Sequence, residues 1–335
     1  MNKINRLYED FEQLINKLSK LKNNNLKKKF IISFSGGPDS TFLLYLFHLY
    51  LAKNKNIDIY VVNIRHRWEN LDKKQEESEI IEQQYCERIC KKFNFELFTN
   101  DESEKIKIKK SSGMEEINRD FRYLILNKFY DKFDIDYIAI GHNLDDNIEN
   151  FFIRMCRGAA LSGLCGMKEV NDKYIRPLLK IKKHEIQNLL DDLNIEYYID
   201  QFSLNKDVLR NRIRFNIVPE LYKIDNRFEN NFNKMTTNIN HANEALANYI
   251  EIEWNKIFDG KNLSININDL LDLKIYCQKE ILLKFLIINK IDKKFFNNNI
   301  LDEILRFLKN NSKQHIIKNI NLIKINDQLQ IKINL

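Results

Sequence analysis

The segment FIISFSGGPDSTFLLYLFHLY, Phe30 to Tyr50, limits the choice of fold more than any other part of the chain. A mostly apolar run empties into Ser-Gly-Gly-Pro-Asp-Ser and passes straight into apolar residues at helical spacing. A buried strand, a tight turn and a helix therefore follow within one stretch. At such a junction in an open α/β sheet, unpaired N–H groups and the helix dipole point at the same spot, which makes an anion site. A phosphate group is the first candidate. Gly36 and Gly37 let the backbone approach it closely, and Ser35, Ser40 and Thr41 add hydroxyl donors. Asp39 would repel a phosphate unless a cation lay between them, so it implies Mg²⁺. The loop is neither a Walker loop, which needs G-x-x-x-x-G-K-[ST], nor a Rossmann G-x-G-x-x-G. A strand-to-helix turn with an ordinary capping side chain is the plain alternative.

The neighbouring sequence extends the same architecture. Apolar residues from Leu7 to Leu18 recur at helical spacing and give a leading helix. Strand-like runs at 30–34, 57–64, 95–99 and 137–140 then alternate with helical patterns at 41–53, 75–93 and 114–133. That alternation predicts an α/β fold with a doubly wound, mostly parallel sheet. A helix from Asn143 to about Cys156 follows, then a small-residue loop at 157–167, an extended stretch at 174–178, a helix at 182–193 and a short strand at 197–200. From about Asn226 the pattern is helical, and the end holds a helix at 300–308 with alternating runs at 323–325 and 329–333. The expected division is a catalytic domain over residues 1–222 and a smaller helical to mixed region over 223–335.

Composition narrows the class of protein. The 335 residues are 44% hydrophobic and 30% charged, with no window approaching the roughly 20 apolar residues of a membrane span. Residues 1–28 lack an apolar core and a small-residue cleavage site, so no secretory signal is expected. Five scattered cysteines without a C-x-x-C pair argue against a disulfide framework or a thiolate metal site, and fit the reduced thiols of a cytoplasm. A net charge of +7 is compatible with a polyanionic partner. A chain-wide abundance of Lys, Asn and Ile would raise the charge without any binding role.

Further motifs sit beside the loop. In Gly113-Met114-Glu115-Glu116-Ile117-Asn118-Arg119-Asp120-Phe121-Arg122-Tyr123, Arg119 and Arg122 lie one helical turn apart. In Gly141-His142-Asn143-Leu144-Asp145-Asp146-Asn147-Ile148-Glu149, the spacing puts His142, Asp146 and Glu149 on one helical face directly after a strand. A glycine-spaced stretch from Arg157 to Met167, then Arg176-Pro177-Leu178-Leu179 and Arg210-Asn211-Arg212-Ile213-Arg214, complete the set.

Ser35-Gly36-Gly37-Pro38-Asp39-Ser40 resembles the S-G-G-x-D-S loop of the PP-loop ATP pyrophosphatases. With the motifs above, the order of elements from Phe30 to Pro219 resembles the tRNA(Ile)-lysidine synthetases. The resemblance implies an adenine nucleotide alpha-hydrolase-like fold, ATP and Mg²⁺, with ATP split between its α and β phosphates. It further implies an isoleucine tRNA with a CAU anticodon, whose wobble cytidine is adenylated at its C2 oxygen and then attacked by the side-chain amine of L-lysine. Carried over by position, Ser35, Gly36, Gly37, Pro38, Asp39, Ser40, Arg122 and His142 would bind ATP. Asp39 would hold the metal with Asp145 or Asp146 beside it, and Asp146 and Glu149 would hold the lysine. Arg119, Arg157, Arg176, Arg210 and Arg214 are candidates for tRNA phosphates, with salt bridges to acids of the same domain as the alternative. A homodimer is compatible with the resemblance.

The sequence also departs from that family. Where a His-x-x-His-Gly segment is usual, it has Asn63, His66 and Arg67; Asn118 replaces a small residue, and Asp200-Gln201-Phe202-Ser203 replaces Asp-x-Ser-Asn. Two rival functions are a cytidine thiolase, which needs a sulfur carrier that the cysteine spacing does not supply, and an RNA-binding protein with a vestigial nucleotide site.

Overall fold

The computed structural model describes residues 3–20, 27–65, 73–101, 114–199, 209–291, 297–318 and 320–332. His66, Arg67, Trp68, Gly113 and the 200–203 segment lie outside the described residues. The chain divides into two compact units, Met1–Thr236 and Thr237–Leu335.

The first unit opens with α1 (Lys3–Lys20), which buries Tyr8, Phe11, Ile15 and Leu18 along one stripe. Then come β1 (Lys28–Ser33), α2 (Pro38–Lys53), β2 (Ile57–Asn63), α3 (Lys73–Lys92), β3 (Leu97–Thr99), α4 (Met114–Phe133) and β4 (Tyr137–Ile140). They are followed by α5 (Leu144–Cys156), α6 (Leu161–Leu164), β5 (Val170–Asn171), β6 (Tyr174–Ile175) and α7 (Lys183–Asp192). After α8 (Leu209–Arg212) a π-helical turn, Ile213–Ile217, leads into α9 (Val218–Ile224) and α10 (Phe228–Ile257).

The sheet order is β3-β2-β1-β4-β6-β5, parallel throughout except for β5, which pairs antiparallel with β6. β1 is central, with Ile31 opposite Tyr60 on one side and Ile138 on the other. Both of its faces are covered. Phe30 and Ile32 pack with α1, α2 and α7, while Ile31 packs with Val62, Ile138 and residues Ile125 and Leu126 of α4. This explains why the strand reads as a continuous apolar run instead of an alternating one. α2 lies inside this packing and buries Phe42, Leu43, Leu44, Leu46, Phe47 and Tyr50, so it is apolar nearly all round. Each such large side chain contributes about 1.5–3 kcal/mol on burial.

The chain builds outward from β1 to β2 and β3, then crosses back to place β4 on the other side. The loops after β1 and β4 therefore meet at the point where the strand order reverses. A Cβ on Gly141, the first residue after β4, would lie 3.2 Å from both the Asp39 carbonyl carbon and the Ser40 nitrogen. Bare backbone is needed for that approach.

Local differences from the sequence-based expectations have local causes. The 157–167 stretch contains the short α6, and Arg154 Nη1 donates to the Gly163 carbonyl at 3.0 Å. No strand forms over 197–199, because the Tyr198 N–H is drawn to the Gly36 carbonyl at 2.8 Å instead of to a sheet neighbour. The units divide within α10, beyond residue 222, because Phe228 and Phe232 at its start join Phe151 of α5.

The second unit holds β7 (Phe258–Asp259), β8 (Ser264–Asn266), α11 (Ile267–Asp272), α12 (Ile275–Ile288), α13 (Asn298–Lys309), β9 (Gln314–Ile317), β10 (Ile320–Ile325) and β11 (Gln328–Lys332). Its antiparallel sheet runs β7-β8-β11-β10-β9. The core includes Trp254, Leu282, Phe285, Leu305, Leu322 and Leu329. No described helix in either unit is long and apolar enough to cross a membrane.

Candidate active site

The first loop is held by its own backbone. Gly36 has φ +72°, and a Cβ there would meet the Tyr85 ring at 3.0 Å and the Cys86 sulfur at 3.1 Å, so conformation and space both call for glycine. Gly37 is the N-cap of α2 and Pro38 begins the helix; no side chain caps this end. The N-terminus is thus left open for an anion. The hydroxyls behave differently from expectation. Ser40 Oγ accepts from the Ser35 N–H at 3.2 Å and donates to the Gly37 carbonyl at 3.0 Å, and Thr41 Oγ1 donates to the Gly36 carbonyl at 3.0 Å. Ser40 and Thr41 are buried and brace the loop, while Ser35 stays exposed.

The second loop meets the first through Asn143. Its Nδ2 donates to Asp39 Oδ1 at 2.9 Å, and its Oδ1 accepts from the Asp146 N–H at 2.9 Å. Asp146 in turn accepts from the Asn143 N–H at 3.1 Å, which closes a capping box on α5. Asp145 accepts from the Lys183 N–H at 2.7 Å and so caps α7, whose own N-cap residue supplies no side-chain bond. Burial, and after it the charge of Asp146, push the Asp39 carboxyl up to about 6 against the pull of Lys183 and the Asn143 amide. No described residue bonds the second Asp39 oxygen. Among the described residues no cluster of three or more His, Cys, Asp or Glu could hold a metal ion alone. The donor set fits a Mg²⁺ bound through one or two carboxylates and completed by phosphate oxygens.

Deeper in, His142 Nδ1 accepts from Arg176 Nε at 3.2 Å, a tautomer that leaves the proton on Nε2. Burial lowers the His142 pKa to about 4, with Arg176, Arg122 and Arg210 adding to it and Asp146 opposing it. Arg176, a candidate for tRNA contact, is only 7% exposed, and its Nη1 donates to the Lys168 carbonyl at 3.0 Å. Its bonds turn inward and fix the imidazole. Arg122 is enclosed beside His142 and Asp146, and burial pulls its pKa below the ordinary arginine value. Among the described residues it forms no hydrogen bond or ion pair, and Asp146 is the nearby negative charge that acts on it.

Glu149, 1% exposed, is already engaged. Arg214 holds it in a two-pronged pair at 2.6 and 2.9 Å, and Arg210 Nε lies 3.4 Å from it. Arg214 also lies 3.6 Å from Asp146. Burial raises the Glu149 pKa in spite of the Arg214 hydrogen bonds. The arginines expected at tRNA phosphates and the acids expected at a lysine ammonium therefore meet each other, because a buried carboxylate needs a partner. Arg119 and Arg157 are exposed, Arg119 over the Tyr123 ring at 5.6 Å.

Several site residues were not foreseen. Asn143 carries a readable signal, an Asn followed three residues later by an acid, the expected Asp146, at a helix start. Asn63 is 2% exposed and donates to the Phe34 carbonyl at 2.9 Å, steadying the exit of β1. Asn147 accepts from the Met167 N–H at 2.7 Å. Nothing local announces the last two.

A family profile described as a PP-loop domain matches residues 9–221. The tRNA(Ile)-lysidine synthase of Borreliella burgdorferi strain ZS7 is 31% identical over 90% of this chain and 67% of its own. That of Clostridium tetani is 30% identical over 65% of this chain and 47% of its own. The aligned region thus spans about half to two thirds of these curated relatives. Among solved structures, the U34-tRNA thiolase NcsA from Methanococcus maripaludis superposes with a TM-score of 0.52 at 21% identity, covering 69% of this chain and 81% of that one. That likeness is one of fold.

Proposed function

Because the chain belongs to the tRNA(Ile)-lysidine synthase family of PP-loop proteins, we propose that it joins L-lysine to C2 of the wobble cytidine in a CAU-anticodon isoleucine tRNA, using ATP. The observation that carries this reading is the meeting of an open helix N-terminus, the half-buried Arg122 and the carboxylates Asp39, Asp146 and Glu149 at one sheet edge. One side suits phosphates and the other an ammonium.

In this mechanism the β and γ phosphates lie on the loop from Ser35 to Ser40. Arg122 and the Nε2–H of His142 face the α-phosphate, where charge develops as the cytidine O2 attacks and pyrophosphate leaves. Asp39 would hold Mg²⁺, which would supply neutralisation of phosphate charge. Lysine, held as its ammonium by Asp146 and, in exchange for Arg214, by Glu149, gives one proton to a carboxylate of the site; the free amine then forms the new C–N bond while the C2–O bond breaks and AMP departs with that oxygen. Exposed Arg119 and Arg157 contact tRNA phosphates, and the region over 223–335 orients the tRNA. A cytoplasmic setting and a homodimer complete the proposal. A thiolase reading draws no support from Cys86 and Cys90, whose buried thiols are pushed up, Cys90 to about 12.

The test is incorporation of radiolabelled lysine into a CAU-anticodon isoleucine tRNA transcript, with AMP and pyrophosphate followed in parallel. Lysine-dependent label, lost when the wobble cytidine is changed to uridine, supports the proposal. AMP formation without label points to another nucleophile, and no ATP turnover removes the enzymatic reading.

A pH dependence follows from the two buried groups. His142 stays neutral above about 4, whereas Asp39 ionises near 6. The kcat/KM for ATP, which reports the free enzyme, is expected to fall as pH drops below about 6. His142→Asn is expected to lower the rate and leave that acid limb in place. Loss of the limb in this variant would assign it to the histidine instead.

A further inference from the structure

The Gly36 carbonyl accepts two hydrogen bonds, from Thr41 Oγ1 at 3.0 Å and from the Tyr198 N–H at 2.8 Å. Its peptide unit also carries the Gly37 N–H. In a planar trans peptide the two groups point in opposite directions, so a carbonyl fixed toward Tyr198 sends the Gly37 N–H away from it. A flip of this unit would turn an acceptor toward the anion site. What prevents the flip comes from distant sequence. The Tyr85 ring forms the floor under Gly36, and the Tyr85 hydroxyl donates to the Glu196 carbonyl at 2.5 Å. Ser78 and Tyr198 join their hydroxyls at 2.7 Å, and Arg88 pairs with Glu196 at 2.7 Å. Residues 196–199 are thereby strapped across α3, with the Tyr198 amide delivered to Gly36.

We propose that Tyr85 is a positioning residue for the phosphate loop. Its ring and hydroxyl, through the 196–199 strap, lock the Gly36–Gly37 peptide with its N–H available to an anion. This rests on the reading that the loop binds the β and γ phosphates of ATP. Tyr85 does not touch the nucleotide; it sets the orientation of the backbone that does. Its hydroxyl therefore acts on ATP affinity and leaves the lysine subsite alone.

Steady-state kinetics of lysine incorporation by the full chain distinguish this role from a structural one. Tyr85→Phe keeps the ring and removes the bond to Glu196; Ser78→Ala loosens the same strap from its outer side. Each is expected to raise KM for ATP about tenfold, in line with the loss of one well-made hydrogen bond. Both should leave kcat at saturating ATP, KM for lysine and the melting temperature nearly unchanged. Tyr85→Leu, which also removes the floor, should raise KM for ATP further than Tyr85→Phe does. Unchanged KM for ATP in folded Tyr85→Phe and Ser78→Ala overturns the proposal, as does an equal loss toward both substrates that tracks the melting temperature. Absence of ATP binding by the unmodified protein would instead remove the reading of the loop, and the strap proposal with it.

Discussion

Replacing Asp39 with asparagine is expected to cut pyrophosphate release by about a hundredfold or more while making the protein harder to melt at neutral pH. The two effects share one cause. The carboxylate is partly buried, faces Asp146 and ionises only near 6, so its charge disfavours the folded state, and in the proposed function that charge would serve the cation that accompanies ATP. A carboxyl whose pKa is higher folded than unfolded binds protons more tightly in the fold. Its penalty is therefore absent well below about 4 and fully present above about 6. The asparagine oxygen can still accept from Asn143, so the loop keeps that contact. The gain at pH 7.5 is about 1–2 kcal/mol, less than the full shift would give because the group is partly exposed. Melting curves of both proteins from pH 4 to 8 check this. The gap in melting temperature should open as pH rises through the window; a gap that does not change with pH would refute the assignment.

Truncating Glu149 to alanine is the second large effect, here on stability. It removes the two bonds that hold the Arg214 guanidinium at 2.6 and 2.9 Å and leaves it, in a mostly dry place, only the longer contact with Asp146 at 3.6 Å. Removing one member of a buried ion pair costs about 3 kcal/mol. Arg214→Ala leaves the more deeply buried member only the longer contact with Arg210 at 3.4 Å, which favours uptake of a proton by Glu149. The double variant is expected to be more stable than the sum of the single losses predicts, because neither charge is left stranded. Chemical denaturation of the four proteins of this cycle measures the coupling. Strict additivity would mean that the pair carries no interaction energy.

How much could be read in advance depended on the range of the interaction. The strand, glycine loop and helix from Phe30 to Tyr50 were legible because apolar runs, turn residues and helix start signals all act within a few residues. The switch point followed from the order of elements. The Arg214 fork on Glu149 was not legible, since the sequence gives two charges of opposite sign and leaves open whether they meet each other or a ligand. For the same reason Arg176 read as a surface cation, although its fork turns inward to His142 and the Lys168 carbonyl. The strand expected over 197–200 failed on a single long-range bond to Gly36. β7, β8 and β9 are short, and their pairing comes from neighbours in the sheet more than from their own pattern.

The π-helical turn Ile213–Ile217 sets a limit on length changes in the chain. A π turn accommodates an extra residue within a helix by widening it, and Arg214 sits inside that wider turn. Deleting one residue there would let the segment close into an ordinary α-helix, with four residues turning the chain about as far as the five do now, so the flanking helical segments would keep their facing. Arg210 and Val218 would face as they do now, but the side chains inside the turn would be re-aimed, and the Arg214 fork on Glu149 would come apart. A deletion of this kind in a surface loop merely shortens the loop, whereas here it changes which residues point at the active site.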